Sequence, residues 1–460
     1  MPDRISISVG VSNFGPFRDF SVDVKPLTVF VGRNSTGKSM VMYLLWTLLR
    51  TLPAASVWLA RVAGRCGREM LERAVESLRR GIAPPGEMMH ILRSLVEEFP
   101  DAWADSISDA VRKVFGVSKI GDLANNPELP ITIRIRGKKG SITIAISDEK
   151  REGRWESFQE DVFSEVSVES PGSMVLTLGY RGVFRKEIFV MDVNTLLTHL
   201  AGLCGVILSD AIGLIGNLRA AFLMVDGRAR LIRTLLKPYP EIAVTIGKTI
   251  PFADTLFIES MYALIRSHRD GKVDLSHPAV MSFLNEIGVK EITVEEEAYA
   301  PRVYIRTWTG HKMPLERAPS GMREILAILF ALFSKDAPAV LLVEEPEAHL
   351  HPRALLYLAR VIAVSVNRFG KNVILSTHSD VLVAEVNNLI AVSSKPEKMS
   401  KLGYSKDEVL DPGAVAAYLI KPEETTASVV ELKTTETGFD ESIFEEVARE
   451  LMERRAEALE

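Results

Sequence analysis

The chain has 460 residues, of which 47% are hydrophobic and 25% charged, with a formal net charge of −5. This is the balance of a globular protein with a large core and room for two or three domains, and it argues against a protein that coats nucleic acid or an anionic membrane. Two cysteines, Cys66 and Cys204, with no CxxC pair leave no basis for a disulfide framework or a zinc ribbon and suit a reducing cytoplasm.

The first residues, MPDRISISVG, lack an apolar h-region, so no signal peptide is expected. Residues 4–31 run in short apolar or alternating pieces, with the turn-like NFGPF (Asn13 to Phe17) between the first two. They predict a small antiparallel start. The last piece, Leu27 to Val31, reads as a buried strand. The loop Gly32-Arg33-Asn34-Ser35-Thr36-Gly37-Lys38-Ser39 follows, and a helix-periodic segment begins at Met40. This is the full GxxxxGK[ST] pattern in its strand–loop–helix context. The two glycines let backbone N–H groups surround a phosphate, and the helix N-terminus adds attraction. Lys38 can reach the β- and γ-phosphates, and the Ser39 hydroxyl can ligate Mg²⁺. ATP and Mg²⁺ are therefore the expected ligands.

Residues 54–126 are helical in period, broken at Pro84-Pro85-Gly86. Met88, Ile91, Leu92, Leu95, Val96 and Phe99 share one face, and Trp103, Ile107, Val111, Val114 and Phe115 share another. ITIRIR and SITIAI then predict a hairpin, with Arg134 and Arg136 on one face. That basic face reads first as a solvated surface and second as a contact for a nucleic-acid backbone. Strands are expected at 174–190 and an apolar helical region at 193–236. Within it, Leu196 to Gly216 is long and apolar enough to span a bilayer. It also carries His199, Ser209, Asp210 and four glycines, and it lacks anchors on its N-terminal side. It is read as a buried helix pair or kinked core helix, with no membrane partner. A basic cluster, Arg228, Arg230, Arg233 and Lys237, reads as a snorkelling helix surface. Residues 250–290 look helical and polar, and two strands follow around EITVEEEA and RVYIRTW.

Residues 338–343, PAVLLV, are apolar throughout, as in a parallel strand buried on both faces. They end at Glu344-Glu345-Pro346-Glu347, where one carboxylate can hold a metal shell and its neighbour can polarise water. Upstream, Ser320-Gly321 opens an apolar helix, with Ser320 as the expected N-cap and Gly321 admitting a phosphate. Downstream, NVILST is another apolar strand, followed by His378-Ser379-Asp380.

The order NFGPF, GRNSTGKS, a long insert, PSGMRE, LLVEEPEAHLHP and LSTHSD resembles the ABC-type ATPase heads of the SMC/RecF/OLD group, often called AAA family ATPases. The resemblance is specific over 1–50 and 310–382 and extends loosely to the tail from Glu431. It implies an α/β P-loop NTPase fold: an ABC-type head with a mixed sheet, plus a large α/β insert lobe. The implied boundaries are 1–52 and 301–460 for the head and 53–300 for the lobe. By this resemblance Ser320, Gly321 and Glu324 contact ATP across a dimer. Glu345 is the catalytic carboxylate, Glu344 joins Ser39 at Mg²⁺, and His378 is the switch histidine. EAHLHP matches the loop that crosses the interface, so His349 and His351 are not read as a metal pair.

Three departures stand out. Position 344 is Glu where the family usually has Asp. The signature is PSGMRE rather than LSGGQ. No glutamine loop can be placed, since Gln159 lies outside any recognisable context. The insert has no sustained coiled-coil heptads, and no DxD motif follows His378, so a Toprim nuclease is not expected. The implied function is a Mg-dependent ATPase that dimerises around ATP, in DNA transactions or defence. The alternative is an ATP-gated clamp serving a partner effector such as a nuclease or toxin. A transporter subunit is disfavoured by the signature and the insert.

Overall fold

The computed structural model describes residues 6–158, 163–178, 184–211, 222–224, 252–296 and 301–459. Gln159 and the basic cluster at 228–237 lie outside them. The chain forms two compact units. The first comprises Met1–Arg4, Val24–Trp46 and Arg219–Glu460, and the second Ile5–Asp23 and Thr47–Leu218.

The first unit is built on β3 (Leu27–Gly32), β10 (Phe222–Met224), β14 (Val340–Glu344), β15 (Asn372–Thr377), β16 (Val415–Pro422) and β17 (Ala427–Leu432). Their order is β10-β14-β15-β3-β16-β17. The first five are mutually parallel and β17 returns antiparallel, so this is a mixed sheet. β3 and β15 are buried at every residue, which explains why their sequences run apolar without alternation. Helices Ser320–Phe333, Pro352–Arg368 and Asp380–Ser393 share their core. A small antiparallel sheet, β11 (Val289–Glu296), β12 (Pro301–Thr307) and β13 (Lys312–Pro314), belongs to the same unit.

Helices Phe252–Arg269 and Pro278–Glu286 also lie in this unit. They are not the polar segment expected from the sequence. Phe257, Met261, Leu264, Val280 and Phe283 are buried in one cluster with Ile325 and Leu329. These apolar faces place both helices in the core of the first unit.

The second unit carries β1 (Ile7–Phe14), β2 (Phe17–Val24), β4 (Ile131–Arg136), β5 (Gly140–Ile146) and β6 (Arg151–Phe158), in the order β2-β1-β4-β5-β6. The chain start therefore pairs with the insert's strands through β1 and β4, whereas the P-loop strand β3 pairs with β15 and β16. β4 alternates as its sequence requires: Ile131, Ile133 and Ile135 are buried, Arg134 and Arg136 exposed. A further sheet, β7 (Phe163–Ser170), β8 (Ser173–Leu178) and β9 (Phe184–Phe189), covers the strands expected near 174–190.

The two apolar faces read at 88–99 and 103–115 lie on a single helix, Pro85–Phe115, with Pro100 inside it. Proline removes the N–H that would have bonded the carbonyl four residues back, at Val96. Trp155 Nε1 of β6 donates to that carbonyl at 2.8 Å instead, and Gly153 packs directly against the Pro100 carbonyl. The helix thus continues through its proline because β6 satisfies the gap.

The segment from Leu196 is helix Val193–Ala211, with Leu196, Leu200, Cys204 and Leu208 fully buried; residues 212–216 lie outside the described residues. Among the described residues no single helix is long and apolar enough to cross a membrane. One bent pair, Lys38–Arg50 with Ala55–Cys66, meets that test together on length and composition.

Candidate nucleotide site at the ends of β3, β14 and β15

β3 delivers the chain to Gly32, which is paired with Ile420 of β16. A β-carbon at Gly32 would stand 2.2 Å from the Ile420 carbonyl oxygen, so only glycine fits here. Arg33, Asn34 and Ser35 are exposed, and Ser35 takes φ 61°. The Thr36 hydroxyl donates to the Arg33 carbonyl at 2.9 Å and closes the loop on itself. Gly37, at φ 101°, leads into helix Lys38–Arg50. Lys38 is only 5% exposed. Its ammonium donates to the carbonyls of Gly32 (3.1 Å) and Arg33 (2.8 Å). Ser39 is exposed in the first turn of the helix. Burial lowers the Lys38 pKa, while the charges of Glu345, Glu347 and Glu344 push it back up.

Those three carboxylates come from the end of β14. β15 lies between β14 and β3, so the acidic turn and the P-loop stand about 10 Å apart, two strand spacings, at the same end of a parallel sheet. Glu344 is the last residue of β14 and is 7% exposed. Glu345 has left the strand conformation, with φ 45°, a position costly for a residue with a side chain and characteristic of functional turns. Its N–H still bonds the Ser376 carbonyl at 2.9 Å. His378, just past β15, places Nε2 2.8 Å from Glu345 Oε1. Glu347 Oε1 accepts from the Thr377 hydroxyl (2.8 Å) and from the His378 N–H (2.6 Å).

The signature residues make a separate set of contacts. Helix Ser320–Phe333 begins at Ser320, but Pro319 occupies the N-cap position and no side chain caps the helix. The expected capping role of Ser320 is therefore corrected: Ser320 is already helical, and the prolyl φ sets the helix entry. Gly321 is buried, and a β-carbon there would lie 2.6 Å from the His349 carbonyl oxygen. In this chain the glycine is required by contact with the EAHLHP loop, a reason the sequence did not disclose. Glu324 and His349 face each other at 3.8 Å. His351 caps helix Pro352–Arg368, its Nδ1 accepting from Arg353 N. No cluster of three His, Cys, Asp or Glu fit for a metal occurs among the described residues.

Two family descriptions match separate parts of the chain. Residues 7–102 match the family described as AAA ATPase domain. Residues 283–384 match that described as AAA domain, putative AbiEii toxin, Type IV TA system. The first match contains the P-loop and the second contains the signature helix, β14, β15 and His378. Both descriptions are of AAA domains, and the chain is an ATPase of that type. Its large mixed sheet flanked by helices is an α/β P-loop ATPase fold.

Solved structures similar to this ATPase include an Smc head bound to the C-winged helix domain of ScpA, at 12% identity and TM-score 0.43, covering 94% of this chain and 98% of that one. Another is an Smc head domain with an extended coiled coil bound to the C-terminal domain of ScpA from Pyrococcus furiosus, at 12% identity and TM-score 0.42, covering 98% and 100%. A third is an SMC head domain from Thermotoga maritima, at 10% identity and TM-score 0.36, covering 94% and 100%. No curated protein matches the chain.

Two residues of the site were not singled out from the sequence. Thr377 is the buried last residue of β15. Glu347 is the third acid of the ATPase's EEPE turn, and that excess of acid was the available signal. Spacing alone could not say that its side chain turns toward β15.

Proposed function

We propose that the ATPase binds ATP through Gly32, Arg33, Asn34, Ser35, Thr36, Gly37, Lys38 and Ser39, and hydrolyses it with Glu345 and His378. In this reading Lys38, already inside the loop with two of its three donors on carbonyls, turns the third to a phosphate oxygen. Glu345 orients and polarises the attacking water. His378, with Nε2 protonated, donates to Glu345 and holds the carboxylate in place. The observation that carries the reading is this 2.8 Å pair at the end of β14, among carboxylates whose charge reaches Lys38.

Ser39 and Glu344 would hold Mg²⁺. They supply oxygen donors only, and few of them, which is the set Mg²⁺ takes when phosphates and waters complete its shell. When bound, the ion neutralises charge on the transferred phosphoryl group.

Ser320, Gly321 and Glu324 would meet ATP held by a second copy, so that ATP closes a homodimer and hydrolysis opens it, in DNA transactions or defence. The head is proposed to reside in the first compact unit, with the second unit as the lobe that moves. A second reading, an ATP-gated clamp with slow turnover serving a partner effector, is favoured by one observation: the family matched by residues 283–384 is described as a putative toxin of a type IV toxin–antitoxin system. Turnover and sedimentation of Glu345→Gln with ATP test the first reading. A wild-type protein with negligible turnover that still dimerises on ATP would favour the second.

A further inference from the structure

We propose that Glu347 is a positioning residue of the ATPase reaction: its carboxylate replaces a missing backbone acceptor at the end of the β14–β15 ladder and thereby holds His378 against Glu345. The inference rests on the roles given above to Glu345 and His378.

The argument begins with the ladder. In a parallel pair, alternate residues of a strand direct their N–H and C=O to the two residues flanking their partner. Glu344 pairs with Ser376, and Glu345 N bonds the Ser376 carbonyl. The next bond in that pattern would run from His378 N to the Glu345 carbonyl. It does not form. Glu345 turns to positive φ, and its carbonyl accepts from Ala348 N at 3.0 Å, closing the turn. The turn that frees Glu345 for chemistry therefore costs β15 its last acceptor.

Glu347 supplies the substitute. His378 N donates to its Oε1 at 2.6 Å, the short distance of a charge-assisted bond. Thr377, fully buried, donates its hydroxyl to the same oxygen at 2.8 Å. Thr377 Oγ1 in turn accepts from Ser379 N at 2.9 Å. One carboxylate oxygen thus fixes both the backbone of His378 and the residue before it. The His378 ring then reaches Glu345 at 2.8 Å. The other oxygen, Oε2, is buried with no hydrogen bond among the described residues. Leaving a buried carboxylate oxygen unsatisfied is expensive, and such an exception calls for a reason in the geometry around it. Without Oε1, the backbone of His378, which lies beyond the last ladder bond at Ser376, loses its tie to the acidic turn. A shift of an ångström there is the scale at which catalytic positioning fails.

The test is steady-state ATP turnover with separate measurement of ATP affinity. Glu347→Ala should lower kcat by about tenfold or more and leave ATP affinity within about twofold, since it removes positioning and not binding. Glu347→Gln keeps an acceptor oxygen and should restore most of the lost kcat. His378→Ala should be slow, and Glu347→Ala added to it should cost at most a further factor of about two, because the two residues act as one unit. An unchanged kcat in Glu347→Ala, or losses that multiply in the double variant, would overturn the inference. Should Glu347→Ala not fold, Thr377→Val removes one of the two anchors at nearly constant volume. It should slow kcat several-fold at unchanged ATP affinity, and wild-type kcat there would refute the role. A Glu345→Gln protein at the wild-type rate would remove the underlying reading instead.

Discussion

Gly321→Ala separates two reasons for a glycine at the start of the signature helix. If glycine is needed only to admit a phosphate, alanine should leave the free protein as stable as before. The structure gives a different reason. An added β-carbon would lie 2.6 Å from the His349 carbonyl oxygen, well inside contact distance, so His349 must retreat by about half an ångström. His349 is itself at φ 61°, and the Leu350 N to Glu347 carbonyl bond ties it to the acidic turn. Overpacking of this kind costs about 1–3 kcal/mol. Alanine regains at most about 1 kcal/mol in helix propensity, and less in a first turn. The net expectation is a loss of about 1–2 kcal/mol. With a denaturant slope of about 3 kcal/mol per molar, the urea midpoint should fall by roughly half a molar. Ser320→Ala, at a position with no capping bond, should change stability by less than about 0.5 kcal/mol. Turnover of Gly321→Ala should drop as well, because the displaced loop leads back to Glu345. A Gly321→Ala protein with an unaltered midpoint and wild-type turnover would refute this account of the glycine.

Two further substitutions test other parts. Lys38→Ala should abolish ATP binding, measured by calorimetry, and cost about 1 kcal/mol of stability for its two carbonyl contacts; undiminished affinity would end the P-loop reading. Trp155→Phe should cost about 1–3 kcal/mol by leaving the Val96 carbonyl unsatisfied. Most of that cost should vanish in a Pro100→Ala background, where an amide is restored, and equal costs in both backgrounds would contradict the exchange described above.

The site's parts were legible in the sequence where one chemical constraint acts locally. Gly32 to Ser39 must follow a strand and open a helix, and an acidic pair ending an apolar strand marks the carboxyl edge of a sheet. The pairing of Glu345 with His378 was not legible, since it depends on β14 and β15 being neighbours. Nor was the work of Glu347, which answers a ladder bond lost through a turn. The helix through Pro100 hid because its compensation comes from Trp155, far along the chain. Helices Phe252–Arg269 and Pro278–Glu286 read as polar because their charged outer faces obscured buried Phe257, Leu264 and Phe283. The pairing of β1 with β4 was not legible either, since it spans more than a hundred residues of sequence.

The most direct measurement of the central claim is sedimentation of Glu345→Gln with ATP and with ADP, beside its turnover. The amide keeps the size of the side chain but cannot polarise water, so hydrolysis should stall while the P-loop contacts persist. If Ser320 and Gly321 meet ATP on a second copy, ATP should shift the variant from monomer to dimer and ADP should not. Adding Ser320→Arg should abolish the shift and leave ATP affinity nearly intact. Wild-type turnover in Glu345→Gln would remove Glu345 from the mechanism, and a variant that binds ATP yet stays monomeric would contradict ATP-driven dimerisation.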